Sequence, residues 1–165
     1  MILLTGSKRA RSSFVLIELI LVILLVAIIA GLSSPVFRNS FTSLELKDAC
    51  FNIAKLANYA QEMAIVERAS YKLSLDAQTG KFWLSRSDLL NPGASYQKVK
   101  GSYGESFSLP RGISFAVGNE LVELFFYPDG RLQPEKQVKI SAVNGESRLI
   151  NFKSLGSQVE IKAVN

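Results

Sequence analysis

Between Phe14 and Leu32 every residue is apolar or glycine except Glu18. As a helix that run is about 28 Å long at ~1.5 Å per residue, close to the ~30 Å of a bilayer's hydrocarbon core. An acid at the centre of a membrane helix costs roughly 2.5–3.5 kcal/mol on insertion scales, so one placed there usually faces a partner. Glu18 lies about one turn inside the run, where snorkelling lowers that cost. Two readings stay open on these residues alone: a tolerated charge at the edge of a membrane anchor, or a charge reserved for another subunit.

The flanks orient the run. Lys8, Arg9 and Arg11 precede it without an acid. Basic residues beside an apolar span hold that end in the cytoplasm, which sends the rest of the chain outward. An ordinary secretory signal fits poorly, because the run is longer than a usual apolar core and a cut after Ala30 would follow Ile28 three residues in. The 165 residues suit one domain plus an anchor, and the net charge is +5. Three of the nineteen basic residues lie in the leader, so sixteen face fourteen acids beyond it, or +2. The basic balance is therefore mainly a topology signal and only weak evidence for a nucleic-acid partner. With no histidine, no nucleophile–base pair, no phosphate-binding glycine loop and no clustered metal ligands, neither catalysis nor a cofactor is expected.

Ser13-Phe14-Val15-Leu16-Ile17-Glu18, after a short basic leader, resembles the class III signal of type IV prepilins and type II secretion pseudopilins. The resemblance implies cleavage by a prepilin peptidase between Ser13 and Phe14, with methylation of the new Phe14 amine. Ser13 stands where the family normally has glycine. It further implies that Glu18 meets the N-terminal amine of a neighbouring subunit as helices stack into a filament. Proteins of this kind commonly carry a proline at the distance of Pro35, where the helix can loosen. Pro35 also removes a backbone donor, so a helix break or kink is expected near Leu32 to Pro35.

Helical periodicity resumes beyond the proline. Leu46, Cys50, Ile53, Ala57, Ala60 and Ala64 form one narrow stripe, and the spacing predicts an amphipathic helix over about 42–68. Three alanines in that stripe predict close approach to a flat partner such as a sheet. Cys50 has no second cysteine to pair with and reads as a buried thiol. After Ser70 the period becomes two. Tyr71 to Leu75 and Lys81 to Ser85 flank a turn at Asp76 to Gly80, and residues 86–106 read as a long loop, either simply solvated or able to bind a partner chain through its basic and aromatic residues. Phe107 to Val117, Leu121 to Tyr127, Gln137 to Val143, Ser147 to Phe152 and Gln158 to Val164 read as strands of one antiparallel sheet. Gly118-Asn119, Pro128-Asp129-Gly130 and Asn144-Gly145 supply their turns.

Leu56 to Arg68 followed by Tyr71 to Asp76, the stretch Phe126-Tyr-Pro-Asp-Gly130 and the ending Ser154-Leu155-Gly156 together resemble minor pseudopilins of the GspH/FimT type. The expected fold is α+β and type IV pilin-like: a long N-terminal helix, its first half membrane-spanning, packed on an antiparallel β-sheet. The expected organisation is a leader at 1–13, a transmembrane and assembly helix at 14–35, and a periplasmic domain at 36–165. Expected partners are other pseudopilins or pilins, the prepilin peptidase, an inner-membrane assembly platform and the lipid bilayer. The resemblance implies a non-enzymatic subunit at or near the tip of the type II secretion pseudopilus. The alternative is a minor type IV pilin that primes pilus assembly or aids DNA uptake. DNA-binding relatives use a basic C-terminal tail, whereas Gln158 to Asn165 holds one lysine and one glutamate.

Overall fold

The computed structural model describes the backbone of residues 9–87, 95–116, 118, 120–154 and 159–164, and side chains from 15–31 and from 41 onward within those ranges. Its elements are a helix α1 (Arg9–Glu67) and the strands β1 (Ser70–Asp76), β2 (Lys81–Ser87), β3 (Gln97–Lys98), β4 (Phe107–Ser108), β5 (Ile113–Phe115), β6 (Leu121–Phe126), β7 (Leu132–Gln133), β8 (Lys136–Ala142), β9 (Ser147–Phe152) and β10 (Glu160–Val164). The chain divides into two units, 1–40 and 41–165.

In the first unit, α1 keeps its helical assignment through Pro35, so the proline does not end the helix. A proline removes one donor and crowds one turn, while the i→i−4 bonds on either side can persist. Loosening at Leu32 to Pro35 concerns residues 32–40, whose side chains lie outside the described set, as do the leader charges Lys8, Arg9 and Arg11. Among the described residues no helix is long and apolar enough to cross a membrane. Those side chains cover 15–31, and the run Phe14–Leu32 extends past them at both ends.

In the second unit the helix packs on antiparallel sheet. All six stripe residues, Leu46, Cys50, Ile53, Ala57, Ala60 and Ala64, have no exposed surface. They join one core with Tyr71, Leu73 and Leu75 of β1, Leu84 of β2, Leu124 and Phe126 of β6, Val138 and Ile140 of β8, and Ile150 and Phe152 of β9. Alanine on the helix lets the sheets approach closely enough for these larger strand residues to fill the space between. α1 ends at Glu67, where Arg68 adopts a positive φ of 51° and the chain reverses into β1.

The strands form two sheets rather than one. β3-β2-β1-β6-β7 make the first, with β4 also paired to β2, and β10-β9-β8-β5 make the second. The division arises where a continuous strand is expected from Phe107 to Val117. Pro110 lacks a donor, Gly112 takes a φ of 84°, and Ile113 N donates to Pro110 O at 3.2 Å, so the chain turns there. β4 stays on the first sheet and β5 enters the second, while β6 belongs to the first, so β5 and β6 do not pair as a hairpin. Val117 and Asn119 lie outside the described residues. The Asn144-Gly145 hairpin is present: β8 and β9 pair from Lys136↔Phe152 to Ser141↔Ser147, and Gly145 takes a φ of 88°.

Candidate functional site

Among the described side chains of the first unit, residues 15–31, Glu18 is the one charge. Described large apolar residues from Val15 to Ile29 are 49–64% exposed, so among the described residues nothing in their own unit covers this helical surface. Glu18 is itself exposed and has no ion pair among the described residues. Phe14 and Glu18 are four residues apart on α1, which puts them on one face a single turn apart. The side chains of Ser13, Phe14 and Pro35 lie outside the described residues. The arrangement offers an apolar rod with one carboxylate, suited to packing against other apolar helices or lipid and to receiving one cation.

In the second unit, the motifs picked out from sequence hold the domain together. Phe126 is buried, Asp129 Oδ1 accepts from Arg131 N at 3.0 Å, and Gly130 N donates to Tyr127 O at 3.0 Å. The backbone bond from Arg131, joined by its side chain, holds the Asp129 carboxyl below the usual carboxylate range. Gln61 Nε2 reaches from α1 to Gly130 O at 3.1 Å and ties this turn to the helix. Ser154 Oγ accepts from Leu132 N at 3.3 Å and Ser154 N donates to Glu135 at 2.9 Å, so the two late motifs meet around β7. Leu155 and Gly156 lie outside the described residues.

The expected long loop is partly structured. Gln97 and Lys98 pair with β2, and residues 102–104 make one 3-10 turn. Tyr103 stacks on Tyr59 of α1, and Tyr96 packs edge-on against Phe125 with Lys72 Nζ 4.8 Å from its ring centroid. Lys72 also pairs with Glu123 at 2.8 Å. The tyrosines thus anchor the segment to the domain instead of standing free. Asn91-Pro92-Gly93 lies outside the described residues.

Near the end of the helix, Tyr71 Oη donates to Glu67 at 2.7 Å and Arg86 pairs with the same carboxylate at 3.2 Å. Burial, reinforced by that hydrogen bond, pushes the Tyr71 phenol well above its ordinary range. This cluster ties α1 to β1 and β2. Sequence periodicity missed one surface altogether. Phe51 is 61% exposed on the side of α1 opposite the alanines, and Arg148 sits on β9 beside Lys47, Asp48 and Ile161. The available signal was an aromatic on the polar face of an amphipathic helix.

No protein-family model matches the chain, and no curated protein matches it. Solved structures do. The minor pseudopilin EpsH from the type 2 secretion system of Vibrio cholerae superposes with a TM-score of 0.54 at 16% identity, over 73% of this chain and 96% of that one. Another structure of EpsH, a crystal structure, gives 0.52 at 13% identity, over 75% and 95%. The type IV minor pilin FimU of Pseudomonas aeruginosa gives 0.47 at 18% identity, over 76% and 92%. With α1 packed on antiparallel sheet through its alanine stripe, the chain has the type IV pilin-like fold, as in the minor pseudopilin EpsH.

Proposed function

We propose that this chain is a minor pseudopilin of a type II secretion pseudopilus, placed at or near the tip, and that it acts by assembly rather than catalysis. The observation that carries the reading is Glu18, an exposed carboxylate with no ion pair among the described residues, on an exposed apolar helix. A lone acid in a low-dielectric layer is costly, and a cation from a neighbouring helix is what offsets the cost. In this reading the prepilin peptidase cuts between Ser13 and Phe14, and the freed, methylated Phe14 amine of one subunit meets Glu18 of another. The run Phe14–Leu32 anchors the chain in the inner membrane, residues 41–165 face the periplasm, and an inner-membrane platform feeds the subunit into the filament. Support comes from the pilin-like fold shared with EpsH and from the basic leader.

Glu18→Leu tests it in the full chain, with membrane level, leader removal and crosslinking to co-produced pseudopilins measured side by side. Normal membrane level with lost crosslinks is the expected result. Unchanged crosslinks and secretion would reduce Glu18 to a membrane-edge charge and remove the reading's main support.

A further inference from the structure

A trough runs along the exposed side of α1 from Lys47 to Glu62, about 22 Å at ~1.5 Å per residue. Phe51 stands about one turn from its Lys47 end, shared by two cavities of about 440 and 480 Å³. Tyr103 bounds one stretch of it, and Val159 and Ile161, at and before β10, bound the other side. β10 is the terminal strand of its sheet: β9 pairs with one edge, and among the described residues no strand pairs with the other. An open strand edge beside an apolar trough is the arrangement that accepts an added strand.

Charge distinguishes the two ends. At one end lie Lys47, Arg148 and Asp48. Arg148 is on the core-facing row of β9, beside Ala163 of β10, and it has no ion pair among the described residues. Alanine at 163 leaves its guanidinium room toward the trough. At the other end lies Glu62, about two turns beyond Lys55, which lines the trough between the two ends.

We infer that this trough takes an extended segment of a neighbouring pilin-like subunit, added along the free edge of β10, with a carboxylate at the Arg148 end and a base at the Glu62 end. About seven residues at ~3.3 Å each span it. Their main chain pairs with Glu160–Val164, their alternate apolar side chains cover Phe51 and Ile161, and the end charges fix direction. Charge-assisted contacts of this kind set register and partner choice more than they set affinity. The inference rests on the filament-subunit reading above and adds to it a second contact, made by the globular unit.

The test uses the full chain in cells that co-produce the neighbouring pilin-like subunits. A photo-crosslinking phenylalanine analogue replaces Phe51 in one variant, Gln137 on the opposite face of the second sheet in another, and Leu21 of the apolar helix in a third. The expected result is a Phe51 product whose partner is a pilin-like subunit joined through an extended segment, with no product at Gln137. Lys47→Glu, at an exposed helix position that leaves the core alone, should lower that yield at least fivefold, and reversing the acid of the joined segment to lysine should restore it. A partner joined through a helix, a yield indifferent to Lys47→Glu, or a product at Leu21 but none at Phe51 would overturn the strand-addition site alone. Absence of pilin-like products at both Leu21 and Phe51 would remove the filament reading as well.

Discussion

Tyr59 and Tyr103 stack almost parallel, with ring centroids 4.1 Å apart and 13° between the planes. This pair fastens the segment after β3 to the exposed flank of α1, and the next residue shows how tightly. A Cβ built on Gly104 would lie 1.5 Å from Val99 O, so only glycine fits. Tyr103→Ala should cost the stacking, about 0.5–1.5 kcal/mol, plus the burial of the ring. Gly104→Ala should cost more, beyond the ~1–3 kcal/mol of ordinary overpacking, because the obstacle is backbone. Thermal melts of both variants check the order, and equal losses would mean the turn yields without strain.

Ala60 has no exposed surface and sits where α1 meets the sheets. Ala60→Leu forces three further carbons into that interface and should destabilise by about 1–3 kcal/mol. Denaturant unfolding measures it. Lys55→Leu, at an exposed position of the same helix, should change stability by less than about 0.5 kcal/mol.

Cys50 is the only cysteine, which makes its chemistry easy to follow. Burial pushes its thiol from 9.0 up to about 11, with the charge of Arg148 offsetting part of the rise. At pH 8 that alone lowers the thiolate fraction about a hundredfold, so iodoacetamide should label the folded chain far more slowly than the unfolded one. The folded state holds the proton more tightly than the unfolded state. Stability from this group is therefore full below about pH 9 and declines as the pH rises from there through about 11. Cys50→Ala should remove that part of the alkaline decline, as read by melts across the same range.

Processing is open to direct measurement. Intact-mass and N-terminal analysis of the membrane fraction should find a chain beginning at Phe14 and carrying one extra methyl on its amine. A mature end beyond Ala30 would point to an ordinary signal peptidase. Ser13→Gly, which introduces the residue that prepilin signals normally carry before the cut, should raise the processed fraction.

Orientation follows from the leader's charges. On the proposed orientation, in which Lys8, Arg9 and Arg11 keep the other end inside, a reporter fused after Asn165 should be active only in the periplasm. Cytoplasmic activity would reverse the assignment.

Sequence by itself determined the periodic parts of this protein. The stripe Leu46, Cys50, Ile53, Ala57, Ala60 and Ala64 was legible because one buried face of a helix repeats every 3.6 residues, and all six positions are buried. The β8–β9 hairpin was legible because Asn144-Gly145 can adopt the turn that its flanking alternation demands. Glu18 stood out because a charge in an apolar run is chemically conspicuous wherever it lies. Tertiary structure decided what depends on residues far apart in the chain. The split into two sheets turns on where β5 finds a partner, since Ile113 pairs with Ala142 of β8 and continues nothing begun by β4. Tyr96 and Tyr103 look the same in sequence whether they face solvent or a neighbour, and only Phe125 and Tyr59 fix them. The trough at Phe51 was invisible for the same reason: its walls come from α1, the turn before β4 and β10, and no local pattern records which edges those folds leave open.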